Sequence, residues 1–291
     1  MIRFFSPAIK FLKEFSNLWI VESWILFLVD RFISPFKSFD IPKRKKTSVM
    51  ICGSGWSLNN ISEKQWSEFE NSYDIFSFNA FKISDYCNIT FHLVREFEAY
   101  FLYKRVSRLS SCFNFKEIKK YDHEIKSNPY MDKAELIVLH DRKSGQAILW
   151  RWMASLKHKT LSFYSNHSDR LLNWPPSNSM QNIPHSCSTL NDCINICYLM
   201  GYEEILLAGV DLNDRRYFYL EKDESRDFDM KNTKNFNDRH ATADTMIAQI
   251  RLWRNFLEPK GIRLLCQNSN SLLSEVIGIK ISAKANIGRS K

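Results

Sequence analysis

The sequence predicts an α/β fold, a mostly parallel sheet in a single domain, with a lid inserted late in the chain and a helical segment ahead of the domain. Three observations predict it. Short apolar runs at 48–52, 73–78, 89–94, 136–139, 205–210 and 262–266 have the length of buried strands, and the first reads as parallel and covered on both faces. Helical stretches at 57–70, 96–109, 190–200 and 243–257 fall between them, which is the pattern of strand–helix–strand units. Glycine is scarce, with eight in the chain, yet four stand at Gly53, Gly55, Gly201 and Gly209 beside strand-like runs.

Length and composition bound the rest. A chain of 291 residues, 44% hydrophobic and 25% charged, holds one sizeable domain with an insertion, or two small ones. A net charge of +9 implies an anionic partner, whether phospholipid, nucleic acid or a phosphorylated substrate. No zinc-finger spacing or RNA-binding aromatic pattern is present, so no nucleic-acid partner is expected. The densest basic run, Lys43-Arg44-Lys45-Lys46, follows an apolar segment and suits an anionic lipid surface, a solvated linker being the alternative. Seven cysteines, an odd number without CxxC pairs, indicate a reducing compartment. Cys193 and Cys197, four apart on a helix, read as small core residues.

Residues 1–46 form an amphipathic, membrane-proximal segment. Leu18 to Val29 is strongly apolar but contains Glu22 and is bounded by Asp30-Arg31, and twelve residues fall short of the roughly 20 that span a bilayer. Trp19 and Trp24, with Lys10, Lys13, Arg31 and Lys37 around them, suit a helix lying in the membrane interface. A helical pair docked on the protein body is the competing arrangement.

The domain, 47–280, begins with Thr47 to Leu58. The strand 48–52 stops at Gly53-Ser54-Gly55, where two glycines allow a sharp turn with positive φ and leave no Cβ to block a ligand. The backbone amides there are candidates to face a phosphate, with Ser57 as cap of the following helix. The third glycine of a dinucleotide fingerprint and the Walker lysine are both missing, so a plain tight turn is the competing reading. Asn79 follows the second strand at its carboxyl end, where ligands of open α/β sheets sit. The stretch 146–180 is aromatic and basic, with little chemistry to read. Ser188-Thr189 cap the helix that Gly201 closes, and the strand 205–210 ends at Asp211. Residues 212–239 turn charged and aromatic-studded, as a lid inserted between core elements does, and His240 closes them. Helix 243–257, strand 262–266 and a Ser/Asn-rich loop follow, and 281–291 form a basic tail.

Four segments in this order, I-C-G-S-G-W-S-L-N-N-I, D-I-F-S-F-N-A-F, G-Y-E-E-I-L-L-A-G-V-D and C-Q-N-S-N-S-L-L, resemble the bacterial CMP-sialic acid sialyltransferases of glycosyltransferase family 42 and their wider superfamily, which includes pterin diphosphokinases. The resemblance covers most of 47–280. It implies a Rossmann-like, GT-A-like single domain with a flexible lid, a CMP-sugar donor, and metal-independent inverting transfer to a glycan or glycolipid acceptor. It implies no cofactor and no metal ligand. On it, Gly53, Ser54, Gly55 and Asn79 hold the nucleotide, Ser188 and Thr189 sit near the donor, and Asp211, Asn270 and Ser271 border the nucleotide. His240 takes the place of the family's base, and Tyr217 or Tyr219 matches a lid tyrosine. The family's tyrosine two residues after the Asp is Asn213 here, and its arginine before the threonine-serine pair is Ser186, with His185 beside it. These departures leave the donor open between a sialic acid-like and a Kdo-like sugar.

The chemistry is consistent with those residues. Transfer from a CMP donor needs a base near neutrality for the acceptor hydroxyl and hydrogen-bond donors for the departing phosphate. His240, with Asp244 four residues on to orient it, suits the first role; Tyr217, Tyr219, the turn amides and His185 suit the second. A bacterial cytoplasmic enzyme, peripheral on the inner face of the inner membrane, fits the basic N-terminus, and a homo-oligomer stays open. The rivals are a Mg²⁺-dependent pterin-type diphosphokinase and an inactive membrane-surface scaffold of the same fold.

Overall fold

The structure, a computed structural model, describes residue 28 and residues 38–78, 87–95, 134–141, 161–167, 176–185, 188–212 and 243–280. Eight strands form one wholly parallel sheet: β1 (Ser48–Cys52), β2 (Asp74–Phe78), β3 (Phe91–Val94), β4 (Leu136–His140), β5 (Leu161–Tyr164), β8 (Glu204–Ala208), β9 (Arg263–Cys266) and β10 (Gly278–Ile279), in the spatial order β10-β9-β8-β1-β2-β3-β4-β5. Two short strands, β6 (Asn166–His167) and β7 (Ile183–Pro184), pair separately. This is the Rossmann-like α/β arrangement the sequence predicts.

Alternation within each strand feeds two cores. Met50 and Cys52 of β1 and Leu206 and Ala208 of β8 face one side, where helix α1 (Glu63–Ser72) supplies Trp66 and Phe69. Val49, Ile51, Ile205 and Leu207 face the other, where α2 (Thr189–Leu199) and α3 (Ala243–Leu257) supply Ile194, Cys197, Ile250 and Trp253. A strand covered on both faces favours apolar residues at both phases, which is why V-M-I-C of β1 and I-L-L-A of β8 read as continuous apolar runs. Cys193 and Cys197 are fully buried, and burial pushes both thiols up, as expected of core residues.

The region after β1 differs from the expected continuous helix. Trp56–Asn60 form a 3₁₀ helix, and α1 starts only after Ser62, whose hydroxyl accepts from the Gln65 amide while the Gln65 side chain accepts from the Ser62 amide. This reciprocal capping box outcompetes Ser57, which caps nothing. β5 and β10 lie in stretches the sequence left without strands. The predicted helix at 96–109, the lid apart from Leu212, and the tail 281–291 lie outside the described residues, as do 1–37 apart from Leu28. No helix among the described residues is long and apolar enough to cross a membrane.

Residues 38–46, grouped by sequence with the N-terminal segment, are docked on the sheet. The Phe163 amide donates to Ser38 O (2.8 Å) and the Ser162 hydroxyl to Asp40 O (2.9 Å), so this segment runs antiparallel to β5 and covers its outer edge. It then passes beneath the amino ends of the strands. Asp74, fully buried, accepts the Lys45 amide (2.8 Å), the Lys46 amide (3.1 Å) and the Tyr202 hydroxyl (2.6 Å) on one oxygen. Lys45 pairs with Glu135, Lys46 donates to the Glu70 and Tyr73 carbonyls, and Arg44 lies 3.6 Å from Glu203. Three of the four side chains in the basic run are thus engaged by the protein itself.

Glu204, 1% exposed at the start of β8, accepts from the Tyr73 hydroxyl and pairs with Lys280 and Arg263. Burial alone raises a carboxyl, but the hydrogen bonds from Lys280 and Tyr73 and the two cationic charges outweigh it and hold Glu204 below its ordinary 4.5. A depressed carboxyl contributes stability that is complete above the unfolded value and is lost as pH falls through the folded one. Denaturant titrations at stepped pH are therefore expected to lose stability below about pH 4.5 through this group. Glu204→Gln should be less stable at pH 7 by about 2 kcal/mol and show a shallower acid slope.

Candidate functional site

The order of strands reverses at β1, whose neighbours are β2 on one side and β8 on the other. Ligands of open α/β sheets bind outside the carboxyl ends of strands at such a point. The turns leaving β1 and β8 meet there. Gly53 N–H donates to Ala208 O and Gly55 N–H to Gly209 O, both at 2.8 Å. A Cβ on Gly53 would fall 2.4 Å from Gly209 O, and one on Gly55 2.6 Å from Asp211 Oδ2. Gly209 itself has φ +64°, a left-handed conformation that favours glycine.

This corrects the basis of the glycine turn. Gly55 is extended, with φ −71°, so the turn does not need positive φ at that position; both glycines of the β1 turn are needed because the facing turn lies too close for a side chain. Their amides are directed into the protein. Ser54, between them, is partly buried and makes no hydrogen bond among the described residues. The helix that was to aim its N-terminus at the turn begins at Glu63, after a 3₁₀ segment, so the dipole of a long helix does not act on this turn directly.

Asp211 is the strut of the site. At 4% exposure, its Oδ2 accepts the Ser57 amide (2.9 Å) and its Oδ1 the Asn268 side-chain amide (2.8 Å), so both oxygens are taken up inside the protein. Ser271, 2% exposed, donates to Val210 O (2.6 Å) and caps the 3₁₀ turn Leu272–Glu275 through the Leu273 amide. Asn270 is exposed beside it, its amide held by Asn268 Oδ1 (3.0 Å). The next residue after Asp211, Leu212, has φ +61°, a strained conformation for a side-chain-bearing residue.

A second polar cluster stands on the same carboxyl edge, above β3, β4 and β5. Its centre is Asp192, in the first turn of α2 and 0% exposed. Asp192 accepts from the Tyr164 hydroxyl (3.1 Å), the Asn166 amide (3.2 Å) and His185 Nδ1, which lies 3.1 Å from each carboxylate oxygen; Arg95 Nε is 3.4 Å away. Ser188 caps α2 by accepting the Leu190 amide (3.0 Å), and Thr189 is buried at 6%. His140, at the end of β4, meets Tyr164 edge-on at 5.0 Å, and neither of its buried ring nitrogens forms a well-aligned hydrogen bond. Burial first, then the charge of Arg95, lowers His140 to about 4, so the ring is neutral at physiological pH.

The structure thus brings Gly53, Ser54, Gly55, Asp211, Asn270 and Ser271 together at the switch point, and places His185, Ser188 and Thr189 at the second cluster. Asn79, Tyr217, Tyr219 and His240 lie outside the described residues. Sequence reading missed Arg95, His140, Tyr164, Asn166 and Asp192, which come from four separate segments. The faint signal available was Asp192, an acid in the first turn of a well-capped helix. Among the described residues no group of three or more His, Cys, Asp and Glu side chains could hold a metal ion.

No family model matches the chain, and no curated protein does. Among solved structures it is similar to the MAf glycosyltransferase of Magnetospirillum magneticum AMB-1, at 12% identity and a TM-score of 0.39, over 60% of this chain and 24% of that one. An overlap so loose carries no argument about activity.

Two substitution series test the site. Gly53→Ala and Gly55→Ala each force a methyl into the facing turn and are expected to cost about 1–3 kcal/mol in denaturant unfolding, whereas Ser54→Ala leaves stability unchanged. His140→Phe removes a ring whose nitrogens lack good partners and should be neutral or stabilising at pH 7. Because the folded value lies below the unfolded 6.5, the unfolded chain binds the extra proton between about pH 4 and 6.5, and the parent's stability falls across that window as pH drops. His140→Phe should flatten that part of the pH–stability curve.

Proposed function

We propose that the chain is a glycosyltransferase that moves a sialic acid-like or Kdo-like sugar, with inversion, from a CMP-activated donor to a hydroxyl of a cell-surface glycan such as lipopolysaccharide, lipooligosaccharide or capsule. One observation carries this reading. The I-C-G-S-G turn, the G-V-D turn and the N-S-N-S loop, each part of the resemblance to the sialyltransferases and far apart in sequence, are knitted by hydrogen bonds into one place at the sheet's switch point. A nucleotide phosphate is assigned here to Ser54, partly buried between two glycines whose own amides are taken up by the facing turn, on the edge that also carries exposed Asn270. Rigid placement of donors is what stabilises a phosphate that gains charge as it departs.

The second cluster sits along the same edge. Three strand spacings separate β1 from β4, so the two clusters lie roughly 15 Å apart at about 4.8 Å per strand, the scale of an extended nucleotide-sugar. The sugar and the incoming hydroxyl are assigned to this end. The resemblance adds Tyr217 or Tyr219 at the leaving phosphate, Asn79 at the nucleotide and His240 as base, with no metal or cofactor; the described geometry offers a second base, taken up below.

Attachment to an anionic membrane surface on the cytoplasmic side suits a lipid-linked acceptor. Ser38 lies beside Phe163 in the carboxyl half of β5, so residues 1–37 join the body on the side of the sheet where the site opens. With Arg44, Lys45 and Lys46 engaged by the protein, lipid contact is assigned to residues 1–37 rather than to the basic run.

Calorimetry separates the readings. CMP binding without added metal is the expected result and Ser54→Pro should weaken it at least tenfold; ATP binding only with Mg²⁺ would instead support a pterin-type diphosphokinase, and binding of neither a scaffold. Full-length protein should co-sediment with vesicles containing phosphatidylglycerol, and a chain starting at residue 38 should stay in the supernatant.

A further inference from the structure

We propose that His185 is the acid–base residue of the transfer and that Asp192 is its positioning residue. The inference rests on the transferase reading above and differs from the resemblance, which gives the proton to His240. Its ground is geometric. A buried carboxylate only accepts hydrogen bonds, so the contact of His185 Nδ1 with both oxygens of Asp192 puts the imidazole proton on Nδ1. Nε2 then carries the lone pair. It makes no hydrogen bond among the described residues, and the His185 side chain keeps 14% of its surface open while that of Asp192 keeps none.

Every neighbour of the pair serves this arrangement. Tyr164 from β5 and Asn166 from β6 donate to the Asp192 oxygens, and Arg95, beyond β3, lies 3.4 Å from Oδ2. Arg95 also donates from Nε to Asn166 Oδ1 (3.1 Å), which turns the Asn166 amide nitrogen toward Asp192. Three side chains besides His185 therefore hold the carboxylate against the ring. His140 from β4 is neutral at physiological pH and adds no charge, leaving Arg95 and Asp192, among the described residues, as the charged groups facing His185. The first turn of α2, capped by Ser188, fixes Asp192 from its own backbone. A carboxylate–histidine pair whose second ring nitrogen is left unbonded is the arrangement that orients an imidazole for proton transfer. It stands on the carboxyl edge of the sheet, where the site opens.

The step balances. Nε2 of neutral His185 accepts the proton of the acceptor hydroxyl as that oxygen forms its bond to the anomeric carbon of the nucleotide-activated sugar. The bond from that carbon to the phosphate oxygen breaks, and its electron pair leaves with the nucleoside monophosphate. The imidazolium, stabilised by Asp192, returns its proton to solvent or to the departing phosphate. Arg95, Tyr164 and Asn166 do not touch the reacting atoms; they keep Asp192 in place.

His185→Asn tests the proposal, because the asparagine amide can occupy the place of Nδ1 and preserve the contact with Asp192. Parent, His185→Asn, Asp192→Asn and His240→Ala are assayed for CMP affinity by calorimetry and for donor turnover across pH 5–9. His185→Asn is expected to bind CMP as the parent does, to lose about 10²–10⁴-fold in kcat, and to lose the acid limb of the pH–rate profile. Asp192→Asn should lower kcat and displace that limb; removal of the limb by His240→Ala and not by His185→Asn would overturn the proposal. If His185→Asn turns over like the parent with the acid limb intact, His185 is structural and the proposal fails. If the parent itself neither binds CMP nor consumes any CMP-sugar, the transferase reading fails instead, a result recognisable before any variant is compared.

Discussion

The site depends on how closely two backbone turns approach. Where β1 and β8 leave the sheet, the Gly53 and Gly55 amides lie against the carbonyls of Ala208 and Gly209, and no side chain fits between. That approach lets Asp211 reach across to the Ser57 amide and, on its other oxygen, to Asn268, tying the first, eighth and ninth strands together at one end. Ser54 is left without a hydrogen bond among the described residues while the amides of its two neighbours turn inward. A turn of this kind is rigid before any ligand arrives, and rigidity is what makes a few hydrogen-bond donors useful against a developing charge.

Buried polar groups divide by edge. At the amino edge Asp74 and Glu204 gather backbone amides, tyrosine hydroxyls and lysines, and their role is to fasten the chain before β1 and after β9 to the sheet. At the carboxyl edge Asp192 gathers a tyrosine, an asparagine, an arginine and a histidine, and the histidine side chain keeps 14% of its surface open. The first arrangement closes on itself; the second keeps part of its histidine open. Leu212, held in a left-handed conformation where the chain leaves the Asp211 turn, adds stored strain at the same edge.

Much of the sheet was legible because burial on both faces leaves so little freedom in composition: β1 and α3 fall at the residues expected, and β2, β4, β8 and β9 within one or two. β5 and β10 were not. L-S-F-Y is short and half polar, since Ser162 turns to the covering segment, and Gly278–Ile279 gains strand character only from pairing with β9. At the site, the glycine turn, Asp211 and Ser271 were read as important for contact with a ligand, whereas the structure shows contact among themselves. The Asp192 cluster escaped because no local spacing joins Arg95, His140, Tyr164 and His185; only the parallel order of strands brings them to one end. Ser57 was misread because its rival, Ser62, has Gln65 three residues on to complete the cap.

The strip from Ser38 to Pro42 has a practical meaning. Beyond it, the far side of the sheet ends in a strand of two residues, too short to template another chain, so this strip is the principal guard of the sheet's hydrogen-bonding margin. A fragment cut at Thr47, one residue ahead of the first strand, would bare the outward amide of Phe163 and discard the backbone partners of Asp74. Such a fragment would self-associate through β5, whereas one cut just ahead of residue 38 would keep its margin sealed and stay monodisperse.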